Sequence, residues 1–173
     1  GKLHMEDFCQ LSERLTEDKY KGSMEQIGKL VLKYSSNPIL DALTFFEVTV
    51  FSFLTGNADM HLKNFSILDY RNEMTGLSPA YDLLSTRLVI PEKDDNEEMA
   101  LMLNGRKRNF KLNDFYFFGE RLKLNEKQVH NSLNKFSKQL ADVLNFIDFS
   151  FLSADLKESY KELIQKRARR LNL

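Results

Sequence analysis

The stretch "TGNADMHLKNFSI", residues 55–67, brings Asp59, His61, Lys63 and Asn64 together, and "PAYDLLS" adds Asp82 further on. An aspartate can orient a hydroxyl and take its proton. An asparagine carbonyl and a second aspartate are hard oxygen donors of the kind magnesium takes, usually with only one or two carboxylates among its ligands. Lys63 offers charge to a phosphate, and His61 offers hydrogen bonds to the loop or to a ligand. Together these are the requirements of phosphoryl transfer from a nucleotide, where the protein does little covalent work.

Asp59 precedes Asn64 by five positions, the offset found in the catalytic loop of protein kinases. Any polar loop offers such pairs by chance. Gly56 and the loop behind it also read as a helix C-cap running into solvent, and Asp82 alone reads as a turn residue or an N-cap for "LLSTRL". The order of elements raises the signal: a buried helix, a Gly-Asn break, a polar loop, a strand, a turn, then a second strand ending in Asp82.

The positioning elements follow from punctuation and periodicity. "NPILDALTFFEVTVFSFL" has Asn37 as N-cap, Pro38 at the first helical position and Gly56 as its stop. Broken by Asp41 and Glu47 and too short to span a bilayer comfortably, it reads as a core helix. "NFSILDY" and "GLSPAYDL" flank the turn-rich "RNEMTG" as a hairpin, with Pro79 at an edge or strand end. "HMEDFCQLSERL" and "SMEQIGKLVLKYS" predict two opening helices, with Met5, Phe8, Leu11 and Leu15 on one face of the first. "PEKDDNEE" is a solvated acidic loop, and "MALMLNG" is a strand or a short helix. From Asn113 on the pattern is helical, with Asn125 and Ser153 as N-caps. The expected fold over residues 1–173 is one mainly α domain with one small β-hairpin.

A chain of 173 residues with 42% hydrophobic composition and 14 Phe can bury a sizeable core, and "FFEVTVFSF" and "FYFF" are its main suppliers. Basic and acidic residues number 25 each, so no global field draws the chain to nucleic acid or to an anionic membrane. "KRARR" suits the last turn of a helix, and "GRKRNFK" suits a solvated loop or a contact to an acidic or phosphorylated partner. The single Cys9 permits no internal disulfide and reads as a small buried hydrophobe, which fits a reducing, cytoplasmic setting. His4, His61 and His130 lack metal-ligand spacing, and no signal peptide opens the chain.

"GNADMHLKNFSI" followed by "LSPAYDLLST" resembles the signature of the HipA toxin family, bacterial serine/threonine kinases whose catalytic half has a helical fold similar to phosphoinositide-kinase-like C-lobes. "MEDFCQLSERL" with "DKYKGS" is similar to that family's segment after the nucleotide hinge, and "LMLNGRKRNFKLNDF" to its Leu-Asn-Gly, basic, Asp-Phe stretch. The resemblance implies ATP and Mg²⁺ as cofactors and Asp59 as the catalytic aspartate. It further implies His61, Leu62, Lys63, Asn64, Tyr81 and Asp82 around the nucleotide, with Asn64 and Asp82 as the magnesium ligands. Aminoacyl-tRNA synthetases are the substrates it implies, and a DNA-binding, HipB-like antitoxin the partner, with no direct contact to nucleic acid or membrane.

The chain departs from that family at its front. No glycine-rich phosphate loop, strand lysine or adenine hinge occurs, so the expectation is a C-lobe without its N-lobe, weak in ATP binding and in catalysis when alone. Gly1 reads as the scar of a cleaved tag, and the missing part belongs either to a longer chain or to a separate one. A rival reading is an inert, kinase-shaped interaction domain that holds an antitoxin or a separate N-lobe chain. A third is a small-molecule phosphotransferase, since those enzymes also use an Asp-to-Asn loop of this spacing.

Overall fold

Pro38 and Gly56 bound the helix around which the other elements are arranged. The computed structural model describes residues 2–70 and 74–173. Helix α3, Pro38–Thr55, starts at Asn37 and stops at Gly56, whose left-handed φ of 78° turns the chain while its N–H bonds back to the carbonyls of Phe53 and Ser52. Asn37 holds the cap position without a side-chain hydrogen bond. α3 is long and apolar enough to cross a membrane by composition alone, but Ala42, Phe45, Phe46, Val50 and Phe53 are fully buried within the domain. The Phe45 ring meets Phe65 edge-on at 5.1 Å, and Phe53 lies 5.3 Å from Phe115. Pairs of this kind contribute roughly 0.5–1.5 kcal/mol each beyond the area they bury. Phe51 and Phe117 depart from the expected core, being 37% and 54% exposed.

The expected hairpin is present as part of a larger sheet. β2, Ser66–Asp69, pairs antiparallel with β3, Thr75–Leu77, with Ile67 opposite Leu77. Pro79 lies beyond the strand end, and part of the expected turn, residues 71–73, lies outside the described residues. A third strand, β1 at Met5–Asp7, pairs antiparallel with β2 and extends the hairpin to a three-stranded sheet. The first helix is correspondingly short: α1 spans only Phe8–Leu11. Asp7 explains both changes. Its carboxylate accepts the Gln10 N–H at 2.9 Å while Gln10 accepts the Asp7 N–H at 2.9 Å. This capping box starts the helix one residue after Asp7 and leaves Asp7 extended. Met5, half exposed, lies outside any apolar face.

Helix α2, Met24–Tyr34, opens on a Ser23–Gln26 capping box and packs against α3. "MALMLNG" is neither helix nor named strand. Met102 bridges to Ser23 and Leu103 to Arg106, across a turn in which Asn104 and Gly105 both have positive φ. The helical tail consists of α4 (Leu112–Arg121), α5 (Glu126–Ile147, capped by Asn125) and α6 (Ala154–Arg170, after Ser153). The basic end of α6 turns inward: buried Arg167 donates to the Phe53 carbonyl, and Arg170 forks onto Glu98 and the Phe110 carbonyl. α6 is thereby tied to the end of α3 just ahead of the polar loop.

Candidate active site

Two loops meet behind Gly56. The Gly56 carbonyl accepts the Arg87 N–H at 3.1 Å and the Thr86 hydroxyl at 3.2 Å, and that hydroxyl accepts the Ala58 N–H at 2.9 Å. Asn57, 1% exposed, donates from its amide to the Asp82 carbonyl at 3.2 Å and accepts the Asp59 N–H at 3.1 Å. These bonds stitch residues 56–59 to residues 82–87. They bring Asp82 to Asn64 although Asp82 does not end a strand: β3 stops at Leu77, and Asp82 sits in an irregular segment with a left-handed φ of 55°.

Asn64 and Asp82 are in contact. Asn64, 4% exposed at the end of a 3₁₀ turn over Leu62–Asn64, donates from its amide nitrogen to the Asp82 carboxylate, and its carbonyl oxygen accepts the His61 N–H at 3.3 Å. Asp59 is half-buried on the same loop, and one of its oxygens accepts the Tyr20 hydroxyl at 2.8 Å. Sequence reasoning did not single out Tyr20; the only signal was its place in "DKYKGS". Burial, together with the Asp59 carboxylate, pushes the Tyr20 phenol up to about 12.

His61 is 7% exposed and lies edge-on to the Tyr20 ring at 5.1 Å. Burial and the Lys19 ammonium hold its imidazole below the usual range, against the pull of Asp59 and Asp82. It is therefore neutral at pH 7, and among the described residues its buried Nδ1 has no hydrogen-bond partner. Tyr81 donates to the Lys63 carbonyl at 2.9 Å and shares a 2.6 Å bond with the Ser66 hydroxyl, while burial raises its phenol.

Two further residues expected at the nucleotide have partners within the domain. The Lys63 ammonium pairs with Asp7 at 2.6 Å, a partner delivered by β1, where the apolar spacing predicts helix. Leu62, 2% exposed, belongs to the core, and its N–H is taken by the Lys19 carbonyl at 3.1 Å.

Among the described residues no cluster of three or more His, Cys, Asp or Glu forms a metal cage. The donor set of one amide and one carboxylate suits magnesium, which keeps several waters and completes its shell with phosphate oxygens. The unpartnered His61 Nδ1 is likewise a polar atom in want of a ligand.

The family model for the HipA-like C-terminal domain matches residues 1–144. The chain belongs to that family. Relatives of this HipA-like domain include "Putative kinase Y4dM" of Sinorhizobium fredii, 39% identical over 109 residues, which cover 62% of the chain and 25% of the relative. A "Putative kinase" of Haemophilus influenzae is 30% identical over 124 residues, covering 64% of the chain and 36% of the relative. The HipA-like domain thus spans about a quarter to a third of the length of these relatives. Among solved structures, HipA of Shewanella oneidensis, determined with HipB and operator DNA, superposes with a TM-score of 0.82 at 20% identity, over 98% of this chain and 44% of that one. The Helicobacter pylori proinflammatory kinase CtkA gives a TM-score of 0.64 at 16% identity, over 98% and 69%. The HipA-like domain therefore has a kinase fold, mostly helical with a small antiparallel sheet.

Proposed function

We propose that this domain is the C-lobe of a HipA-like serine/threonine protein kinase that transfers the γ-phosphoryl group of ATP to a protein hydroxyl. The observation carrying this reading is the contact of Asn64 with Asp82 beside a loop that also presents Asp59. In the proposed reaction the Asp59 carboxylate orients the acceptor hydroxyl and receives its proton. Asn64, through its side-chain oxygen, and Asp82, through its carboxylate, would hold Mg²⁺. Neutral His61 and Tyr81 line the nucleotide side, His61 offering Nδ1 as a hydrogen-bonding atom. When bound, magnesium and ATP supply the electrophilic phosphorus and neutralise its charge. An N-lobe, within the natural polypeptide or on another chain, would cover the phosphates, so the 173 residues alone transfer little.

The antitoxin partner is proposed from the Shewanella protein, which was solved with HipB, and a synthetase substrate from the family resemblance. Lys63 supports a second reading, an inert kinase-shaped module that holds an antitoxin or an N-lobe chain, because its charge is closed onto Asp7.

The test is γ-phosphoryl transfer by the natural full-length protein. Asp59→Ala should lower transfer by about 10³-fold while leaving the circular dichroism spectrum unchanged. Transfer at the full rate by that variant overturns the catalytic assignment, and no transfer by the wild-type protein with a bound N-lobe favours the inert module.

A further inference from the structure

We infer that Tyr20 is a positioning residue: its hydroxyl holds one oxygen of Asp59 and thereby selects the other as the oxygen offered to the acceptor hydroxyl. The inference rests on the kinase reading above and deepens it.

Tyr20 reaches Asp59 from far away in the chain. It follows the 3₁₀ turn Thr16–Asp18, and that segment docks on the polar loop through three separate contacts. The Lys19 carbonyl accepts the Leu62 N–H at 3.1 Å, the Tyr20 ring lies edge-on to His61 at 5.1 Å, and the Tyr20 hydroxyl donates to Asp59 Oδ1 at 2.8 Å. Among the described residues no partner is found for Asp59 Oδ2, so the carboxylate has one tethered oxygen and one open one.

The tether has a physical function. A free carboxylate rotates about its terminal torsion with little preference, whereas a proton-accepting oxygen must meet the acceptor within hydrogen-bond reach. Misplacement by about 1 Å can cost on the order of 10²-fold in rate. Asn57 holds the Asp59 backbone N–H, which leaves the side-chain torsions of the carboxylate, and the Tyr20 hydroxyl restrains them. Tyr20 itself does not slip into the proton-transfer role, because its raised phenol stays protonated at physiological pH and donates throughout. Lys19, 4.9 Å over the ring, keeps the ring face occupied.

Tyr20→Phe retains the ring contacts and removes only the hydroxyl. In the natural full-length protein it should lower kcat by about 10-fold, leave KM for ATP within about twofold, and add no further loss in an Asp59→Asn background. An unchanged kcat in Tyr20→Phe, alongside an inactive Asp59→Ala, overturns this inference and leaves the kinase reading standing. Transfer at the full rate by Asp59→Ala removes Asp59 from the catalytic role and this inference with it, whereas no transfer by the wild-type protein removes the kinase reading.

A second measurement is independent of activity. In the chain labelled with [¹³Cζ]tyrosine at pH 11, the Tyr20 signal, assigned by its loss in Tyr20→Phe, should remain mostly protonated in the wild type and become more ionised in Asp59→Asn. An equal ionised fraction in the two proteins overturns the contact on which the inference stands.

Discussion

Asn64 shows how much chemistry one side chain can be asked to arrange. Its carbonyl oxygen fixes the loop by accepting from His61, and its amide nitrogen holds Asp82. The sequence made this pair legible because both residues carry the right oxygen atoms and a hairpin lies between them. The Lys63–Asp7 pair was not legible, since neither spacing nor residue type reveals that Asp7 arrives from β1 beside the lysine. Tyr20 was harder still. A hydroxyl that meets Asp59 across 39 positions leaves no local pattern, and only the packed structure brings the two together.

At the scale of elements, Gly56 carries the transition from core helix to site. A Cβ added there would lie 2.6 Å from Leu163 Cδ2, 3.0 Å from the Ser85 hydroxyl and 3.1 Å from Arg87 Cβ, on a backbone that L-residues rarely adopt. Gly56→Ala should therefore destabilise the domain by about 1–3 kcal/mol, read as a lower urea midpoint at unchanged slope. It should also loosen the Thr86 and Arg87 bonds that bring Asp82 to Asn64. A midpoint equal to the wild type would show that the loop stitching tolerates a side chain. The start and stop of α3 were readable because Pro38 and Gly56 are backbone signals independent of tertiary context. The strand at Met5–Asp7 was not, because its apolar spacing matched a helix and its pairing partner, β2, lies some sixty residues away in sequence.

At the scale of the molecule, the C-terminal helix and the segment around Asp114 are locked by charge as well as by the phenylalanine core. Burial pushes the Glu98 carboxyl up, but the Arg170 guanidinium outweighs burial and holds it below the ordinary range. Asp114 is likewise lowered, with burial opposed by Asn104, the Lys111 N–H and Arg106. Because the folded-state values lie below the unfolded ones, this stabilisation is fully present above the ordinary carboxylate range. It is lost as pH falls through the folded values. The urea midpoint should thus decline as pH drops from about 5 towards 3, and Glu98→Gln should flatten that decline. A midpoint indifferent to pH over this interval would show that the α6 anchor is not ionic. Overall charge is balanced at 25 and 25, so stability here turns on specific pairs and not on net repulsion.

The most direct test of the proposed chemistry is metal binding at the Asn64–Asp82 pair. In the natural full-length protein with a non-hydrolysable ATP analogue, Mn²⁺ in place of Mg²⁺ should broaden the Asn64 side-chain amide resonances, and Asp82→Asn should restore them. Sharp Asn64 signals at saturating Mn²⁺ and nucleotide, or broadening that persists unchanged in Asp82→Asn, would contradict the metal site.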